Sequence, residues 1–182
     1  MKKDYFKKLC ICAMMAALFV PLELIASNFG KIAFLDNYQI PISCFPLILA
    51  SIMFGVRWGT ATAVVASFIS QLAMGYGISW STFLWMIPTI VYTVLVAMIY
   101  KLFRKSDRFS LLFINLFISA VALSAMNIGV MYLSNWITGG KAVANLIAIF
   151  ASFKLVGGIA FAVIFALITP SIIKKAKKII KL

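Results

Sequence analysis

Long apolar runs alternate with short polar or basic segments along the whole chain. The hydrocarbon core of a bilayer is about 30 Å thick, and a helix needs roughly 20 residues to cross it. Open sheet edges are not tolerated in lipid, so runs of this length are predicted to be helices. The pattern predicts an all-α membrane protein: a single integral-membrane domain, residues 1–182, folded as a compact bundle of six transmembrane helices. The predicted spans cover about 9–29, 40–56, 58–75, 81–102, 109–135 and 142–172.

The second and third predicted spans are shorter than the others, and only GVRWG, residues 55–59, separates them. Two glycines within five residues are typical of a tight turn. Residues 40–75 are therefore predicted to form either two tilted helices or one broken hairpin.

Basic residues are distributed unevenly among the segments between the spans. The chain is 64% hydrophobic and carries 17 Lys and Arg against 4 Asp and Glu, a net charge of +13. In a soluble protein this charge would suggest nucleic acid, but between apolar spans it indicates membrane topology. Only Lys31 and Lys141 fall on one side of the predicted membrane. The larger group on the other side consists of Lys2, Lys3, Lys7, Lys8, Arg57, Lys101, Arg104, Lys105, Arg108, Lys174, Lys175, Lys177, Lys178 and Lys181.

Cytoplasmic loops are enriched in Lys and Arg, so the larger group marks the cytoplasmic side. Both termini are then cytoplasmic, and an even number of spans is required. We expect a multi-pass protein of a cell (plasma) membrane, with the lipid bilayer and no nucleic acid among its partners.

One basic residue, Lys154, falls inside the last apolar run. It lies roughly 16 Å from the outer end of the predicted span, at 1.5 Å per residue. Charged groups within a membrane are costly and are functional candidates by default. Three interpretations stay open: Lys154 snorkels to the interface, pairs with Glu23 of the first span, or contacts an anionic or carbonyl group of a solute. The last is favoured.

Two amide-bearing segments add further candidates. Asn127 lies in the fifth predicted span, where an amide either bridges helices or contacts a ligand. The first outer loop contains LDNYQ, residues 35–39, in which Asn37 is a binding candidate and a solvated loop is the alternative.

Aromatic and amide side chains gather around the second outer loop, GYGISWS, residues 75–81. Tryptophan at a membrane boundary is either an interfacial anchor or, here, a stacking surface for a planar ring. Gly75 and Gly77 are predicted hinges that let the loop close over a solute. The binding candidates of this group are Gln71, Tyr76, Trp80 and Trp85.

The residue types that most catalytic and metal sites require are missing from the sequence. There is no histidine, and Cys10, Cys12 and Cys44 do not have a metal-binding spacing. No Ser/His/Asp set, acid pair or phosphate-binding loop occurs. The sequence therefore predicts a protein that is not an enzyme, with no metal and no cofactor of its own.

Ala13 and Ala17 are four residues apart on one face of the first span, and small residues at this spacing let a second helix approach closely. The stretch ISCFPLILASIMFGVRWGTATAVVASFISQL, residues 42–72, and the stretches AMNIGVMYL and FKLVGG, residues 125–133 and 153–158, complete the pattern. The chain resembles, over nearly its whole length, the S components of energy-coupling factor (ECF) vitamin transporters of prokaryotes.

This resemblance implies a substrate-specific binding subunit that captures a water-soluble vitamin or related metabolite on the outer face. It implies that Ala13 and Ala17 contact a transmembrane coupling T subunit, and that two ATP-binding-cassette ATPases supply the ATP hydrolysis. The riboflavin-binding branch has an asparagine and a lysine that match Asn127 and Lys154, which gives Lys154 a place at the floor of a pocket. The folate branch usually has an arginine where this chain has Lys31 or residues 83–85, which is a departure from that branch, and Lys31 is kept as a binding candidate. Folate or pantothenate is the favoured solute, followed by a riboflavin-like compound.

The alternatives are a stand-alone ion-coupled secondary transporter or small channel, and an assembly protein without a solute. Ion-coupled transporters use intramembrane acids, of which Glu23 is the candidate here.

Overall fold

The computed structural model describes the backbone of residues 2–32, 41–75, 77–103, 108–137 and 144–180. Side chains are described for 4–28, 42–75, 77–103, 108–137, 156–176 and 178. All regular structure in these ranges is helical. The elements are α1 (Lys2–Ile32), a 3₁₀ turn (Pro41–Cys44), α2 (Phe45–Phe54), α3 (Val56–Ala73), α4 (Trp80–Leu102), α5 (Phe109–Ile137) and α6 (Ala144–Ile180).

The prediction of an all-α fold with six helices is confirmed for the described residues, but not every helix has the length and composition of a span. Four do, over Asp4–Asn28, Trp80–Leu102, Phe109–Ile137 and Val156–Ala176. α2 has only ten residues, about 15 Å of helix. α3 has 18 residues, but Thr62, Ser67, Ser70 and Gln71 make its buried face polar.

α2 and α3 form the hairpin that the two glycines of GVRWG predict. Gly55 has φ +83°, a left-handed conformation that glycine adopts without strain. Gly59 packs so closely on Ser51 that a Cβ at Gly59 would lie 2.8 Å from the Ser51 Cα. Residues eight positions apart are in contact only because the chain reverses direction at Gly55.

α2 forms the centre of the bundle. It is apolar on all sides, and every residue from Pro46 to Ile52 is buried. A helix of this kind belongs in a protein interior rather than at a lipid surface. α2 packs against α1, α3, α4 and α6, while α1, α3, α4, α5 and α6 pack side by side in that order. The predicted span 40–56 corresponds to the 3₁₀ turn and a helix of ten residues, which the other helices enclose.

A polar contact joins α4 to α5 in addition to apolar packing. Asn115 is fully buried and donates its side-chain N–H to the Val96 carbonyl oxygen at 3.1 Å. Ser119 donates its hydroxyl to the Asn115 side-chain oxygen at 3.4 Å. A buried amide needs such partners, so this pair fixes the register of two neighbouring helices.

Most of the described basic residues lie at one end of the bundle, called the basic end below. Tyr5 and Trp58 stack edge to face with ring centroids 5.0 Å apart, which brings the starts of α1 and α3 together. α4 and α6 end there, and α5 begins there, because successive helices run in opposite directions. The described cations at the basic end are Lys7, Lys8, Arg57, Lys101, Arg108, Lys174, Lys175 and Lys178. The opposite end is called the far end.

We predict that Gly59→Ala lowers the free energy of unfolding by about 1–3 kcal/mol, the usual effect of overpacking. The added methyl group would collide with the backbone and hydroxyl of Ser51 at the centre of the bundle. Thermal unfolding of the detergent-solubilised protein measures the effect.

Gly129→Ala in α5 is the matched control. A Cβ there meets no atom within 4 Å, and alanine is favoured over glycine inside a helix by about 1 kcal/mol. Equal melting temperatures for the two variants would contradict the close approach of α2 and α3.

Candidate binding site in the far half of the bundle

The short length of α2 divides the interior of the bundle into two halves. α2 ends at Phe54 at the basic end and begins at Phe45, about 15 Å higher. The hydrocarbon core is about 30 Å thick, so α2 itself reaches only about halfway across. Among the described residues, the far half is enclosed by the longer helices and contains no central helix.

Several residues singled out in the sequence share this far half. Four of them lie about 22–32 Å from the basic end of their own helix, at 1.5 Å per residue, and the fifth, Lys154, lies about 39 Å from the end of α6 at Ile180. They come from five different helices, α1, α3, α4, α5 and α6. In chain order they are Glu23, Gln71, Trp85, Asn127 and Lys154.

The described side chains in this layer are at least partly enclosed. Gln71 and Glu23 are buried, and Trp85 and Asn127 are half-buried. α1 packs against the 3₁₀ turn before α2, and Glu23 lies on the buried face of α1. Amide, carboxyl and indole groups from four helices thus occur at one level of the bundle.

Lys154 and Lys31 lie in α6 and α1, and their side chains are outside the described set. Lys154 is 20 residues from Lys174, or about 30 Å along the helix, which is the thickness of the hydrocarbon core. Its backbone is therefore near the far end of α6, whereas the 3₁₀ turn and α2 occupy the base. Tyr76 and Asn37 lie outside the described residues. The ligand roles of these residues stay predictions.

The second loop places Trp80 on the outside of the bundle. Trp80 begins α4 and is 82% exposed, and Ile78 beside it is also exposed. Ile78, Ser79, Trp80 and Phe83 line a shallow depression of about 230 Å³. Gly75 and Gly77 have φ +81° and +66°, conformations that favour glycine, and their role as hinges stays a prediction.

Sequence reasoning missed two polar residues that organise the bundle, Asn115 in the half near the basic end and Thr82 in the far half. Asn115, like Asn127, is an amide inside a predicted span, and such amides are candidate ligand residues. In the structure Asn115 instead forms a structural bridge between α4 and α5. Thr82 is fully buried beneath the second loop, and a threonine in a helix gives no distinct sequence signal. The two asparagines could have been distinguished by their depth in α5: Asn115 lies near the basic end, and Asn127 lies 12 residues further along, in the far half.

Buried hydroxyl groups without a partner do not by themselves identify the site. Ser70 is such a group beside Gln71 in the far half. Ser51, Thr60 and Thr169, in the half nearer the basic end, also have no hydrogen-bond partner among the described residues.

The face of α1 that carries Ala13 and Ala17 is directed away from the bundle. Both alanines are exposed. The opposite face is the one that packs inward, and its buried residues are Cys12, Ala16, Phe19, Glu23 and Ala26. α1 therefore presents small residues, at four-residue spacing, on a surface that the chain itself leaves uncovered.

The comparison with known proteins assigns this architecture to a class of membrane transport protein. Residues 7–172 match the family "ECF transporter, substrate-specific component". The chain belongs to that family, whose members are the S components of ECF transporters. No curated protein and no solved structure matches the chain.

Family membership establishes the general role. The chain is a membrane protein and the substrate-binding subunit of a transporter, not a catalytic subunit. S components associate with the T and ATPase modules of an ECF complex. Among the described residues, no group of three or more His, Cys, Asp and Glu side chains is placed to hold a metal ion.

We predict that a cysteine at position 127 reacts with a water-soluble methanethiosulfonate reagent about ten-fold or more faster than one at position 119, because labelling requires access to water. Asn127→Cys and Ser119→Cys would be compared after Cys10, Cys12 and Cys44 are replaced by alanine. Ser119 is the control, since it is buried on the same helix about 12 Å nearer the basic end. Equal labelling rates would contradict a water-accessible far half.

Proposed function

We propose that this S component captures a water-soluble vitamin or related small metabolite from outside the cell and delivers it to an ATP-driven importer. A T subunit and two ATP-binding-cassette ATPases would complete the importer, and this chain would contribute no ATPase site. Folate or pantothenate is the favoured solute, followed by a riboflavin-like compound.

The proposal rests mainly on α2, which starts at Phe45, only about halfway across the bundle. The chain that shows this feature belongs to a family of substrate-specific transporter components. Beyond that point the helices contribute polar and aromatic side chains rather than a continuous apolar core. Binding sites of membrane transporters are commonly formed where a helix is interrupted near mid-membrane. Gln71, Trp85 and Asn127 suit the recognition of a ring system with hydrogen-bonding groups.

The distribution of basic residues supports the orientation. Lys and Arg are enriched on the cytoplasmic side of membrane proteins, so the basic end faces the cytoplasm and the far half faces outward. Both termini are then cytoplasmic. A solute arriving from outside meets the second loop first and the 3₁₀ turn last.

The charged residues of the far half favour a solute that carries a carboxylate or a carbonyl group. Lys154 lies in the outward-facing half of α6, where an ammonium group would attract a carboxylate or a carbonyl oxygen. Glu23 and Lys154 both belong to that half, so a solute with donor and acceptor groups suits the site better than a purely apolar one.

A stand-alone ion-coupled transporter is the second candidate, because Glu23 is an acid buried at membrane depth. In such a protein the exposed alanine face of α1 would have no partner to bind.

We predict that the purified protein carries a vitamin-sized compound, and that Lys154→Ala lowers its occupancy about ten-fold or more, as loss of a charge-assisted hydrogen bond does. The occupancy is measured by mass spectrometry of the compounds released from the detergent-solubilised protein. Lys178→Ala, at an exposed position near the basic end of the same helix, is the matched control.

If nothing is released from the wild type, and a vitamin panel does not raise its melting temperature, the binding proposal fails. If Lys154→Ala keeps its compound, the solute role of Lys154 fails and a pair with Glu23 becomes the better account.

We predict that Ala17→Trp abolishes uptake and association with the T subunit while the released compound is retained. A bulky side chain on a small-residue face prevents close helix approach. Co-purification with the ECF complex and uptake by whole cells measure the effect. Ala125→Trp is the matched control, since Ala125 is exposed on α5, which packs against α4 and α6 rather than α1. Normal uptake by Ala17→Trp would favour the stand-alone transporter.

A further inference from the structure

The turn formed by residues 77–79 precedes α4 at the far end of the bundle. Gly77 has a left-handed conformation, and Ile78 and Trp80 are 73% and 82% exposed. These two large side chains make little contact with the bundle, although large apolar groups usually anchor a loop by burial. The position of the turn therefore depends on its hydrogen bonds.

Those hydrogen bonds converge on one buried hydroxyl group, that of Thr82. Its Oγ1 donates to the Gly77 carbonyl oxygen at 2.7 Å and accepts the Ser79 backbone N–H at 3.3 Å. The Ser79 and Thr82 hydroxyl oxygens are 3.1 Å apart. The Thr82 backbone N–H also donates to the Ser79 carbonyl oxygen at 3.1 Å. Thr82 thus holds both ends of the 77–79 turn against the first turn of α4.

The burial of Thr82 makes these bonds difficult to replace. Thr82 is 0% exposed, so water cannot reach its hydroxyl without movement of the turn. A buried hydroxyl that loses its partner bears the cost of desolvation, which favours the bonded conformation of the turn. Ser79 also makes a 2.7 Å contact with the Ser81 hydroxyl, but that contact is exposed and water can substitute for it.

We propose that Thr82 is a positioning residue: its hydroxyl holds the 77–79 turn at the rim of the solute entrance and so sets how readily the far half opens to water. That this rim admits a solute rests on the proposed function. The turn begins four positions after α3 ends at Ala73, near the buried Gln71, and it directly precedes Trp80, the first residue of α4. Release of the turn therefore exposes the outer part of the candidate site.

Thr82→Val tests the inference because valine keeps the shape of threonine and removes the hydroxyl group. Amide hydrogen exchange of residues 77–83 in the full-length protein is expected to be about five-fold faster, the factor that loss of one helix-capping bond predicts. Thr82→Ser restores a hydroxyl and is expected to return exchange to the wild-type rate.

Thr93→Val is the matched control. Thr93 lies on the same helix, is 1% exposed, and donates its hydroxyl to the Thr89 carbonyl oxygen at 2.7 Å within the helix. This bond lies within α4, eleven residues beyond Thr82, so replacement of Thr93 should leave exchange at 77–83 unchanged. Ser79→Ala, at an exposed position, removes one partner of Thr82 without a change in the core.

A second measurement tests how readily a water-soluble reagent passes the entrance, and it needs no natural solute. In protein lacking Cys10, Cys12 and Cys44, a Gln71→Cys reporter is labelled with a trimethylammonium-ethyl methanethiosulfonate reagent. Thr82→Val is expected to accelerate labelling by about the same five-fold factor, and Thr82→Ser and Thr93→Val to leave it unchanged.

Unchanged exchange in Thr82→Val overturns the inference. Faster exchange with unchanged labelling also overturns it, since the turn would then not cover the entrance. If Thr82→Val does not fold, Ser79→Ala decides, and unchanged exchange in that variant overturns the inference. If both rates rise but no vitamin binds the wild type, Thr82 keeps its positioning role and the proposed function fails.

Discussion

A ten-residue helix is too short to cross a bilayer, and α2 is held at membrane depth only by the helices around it. Lipid cannot satisfy backbone groups at the ends of such a helix, so protein must enclose them. The chain solves this by a reversal at Gly55 and by close packing of Gly59 on Ser51. α1, α3, α4 and α6 then cover an apolar helix that has no lipid-facing side. The arrangement of the other helices follows from the need to surround α2.

The same constraint separates the bundle into a filled half and the far half that holds the candidate binding residues. Near the basic end, Leu47, Ile48, Leu112, Leu116 and Ile173 fill the interior completely. Beyond the 3₁₀ turn, Glu23, Gln71, Trp85 and Asn127 occur at the level where α2 is missing. An interrupted span therefore provides both a rigid base and space for polar side chains above it. This accounts for a solute-binding role in a chain with almost no soluble part.

Hydropathy was sufficient to predict the six helices of the described residues, the two glycines of GVRWG predicted the turn at Gly55, and small-residue spacing singled out the alanine face of α1. Hydropathy and charge left the place of α2 open. They were not sufficient to predict that α2 lies inside the bundle, because a short apolar run in a core has the same composition as half of a span. Asn115 and Asn127 are likewise equivalent in sequence; only the partners of Asn115, Val96 and Ser119, reveal a structural amide. Thr82 had no sequence signal, since its role depends on the path of the turn before it.

Pro21 lies between the two features of α1 singled out above, the exposed alanine face and the buried Glu23. Proline has no backbone N–H, so the carbonyl group of Ala17, four residues earlier, has no helical donor. Ala17 lies on the exposed small-residue face, and Glu23, just beyond the proline, lies on the buried face. Lipid provides no donor for that carbonyl group, whereas a helix docked against Ala13 and Ala17 comes close enough to the backbone to provide one. The proline thus gives the alanine face a polar group that close helix packing can satisfy.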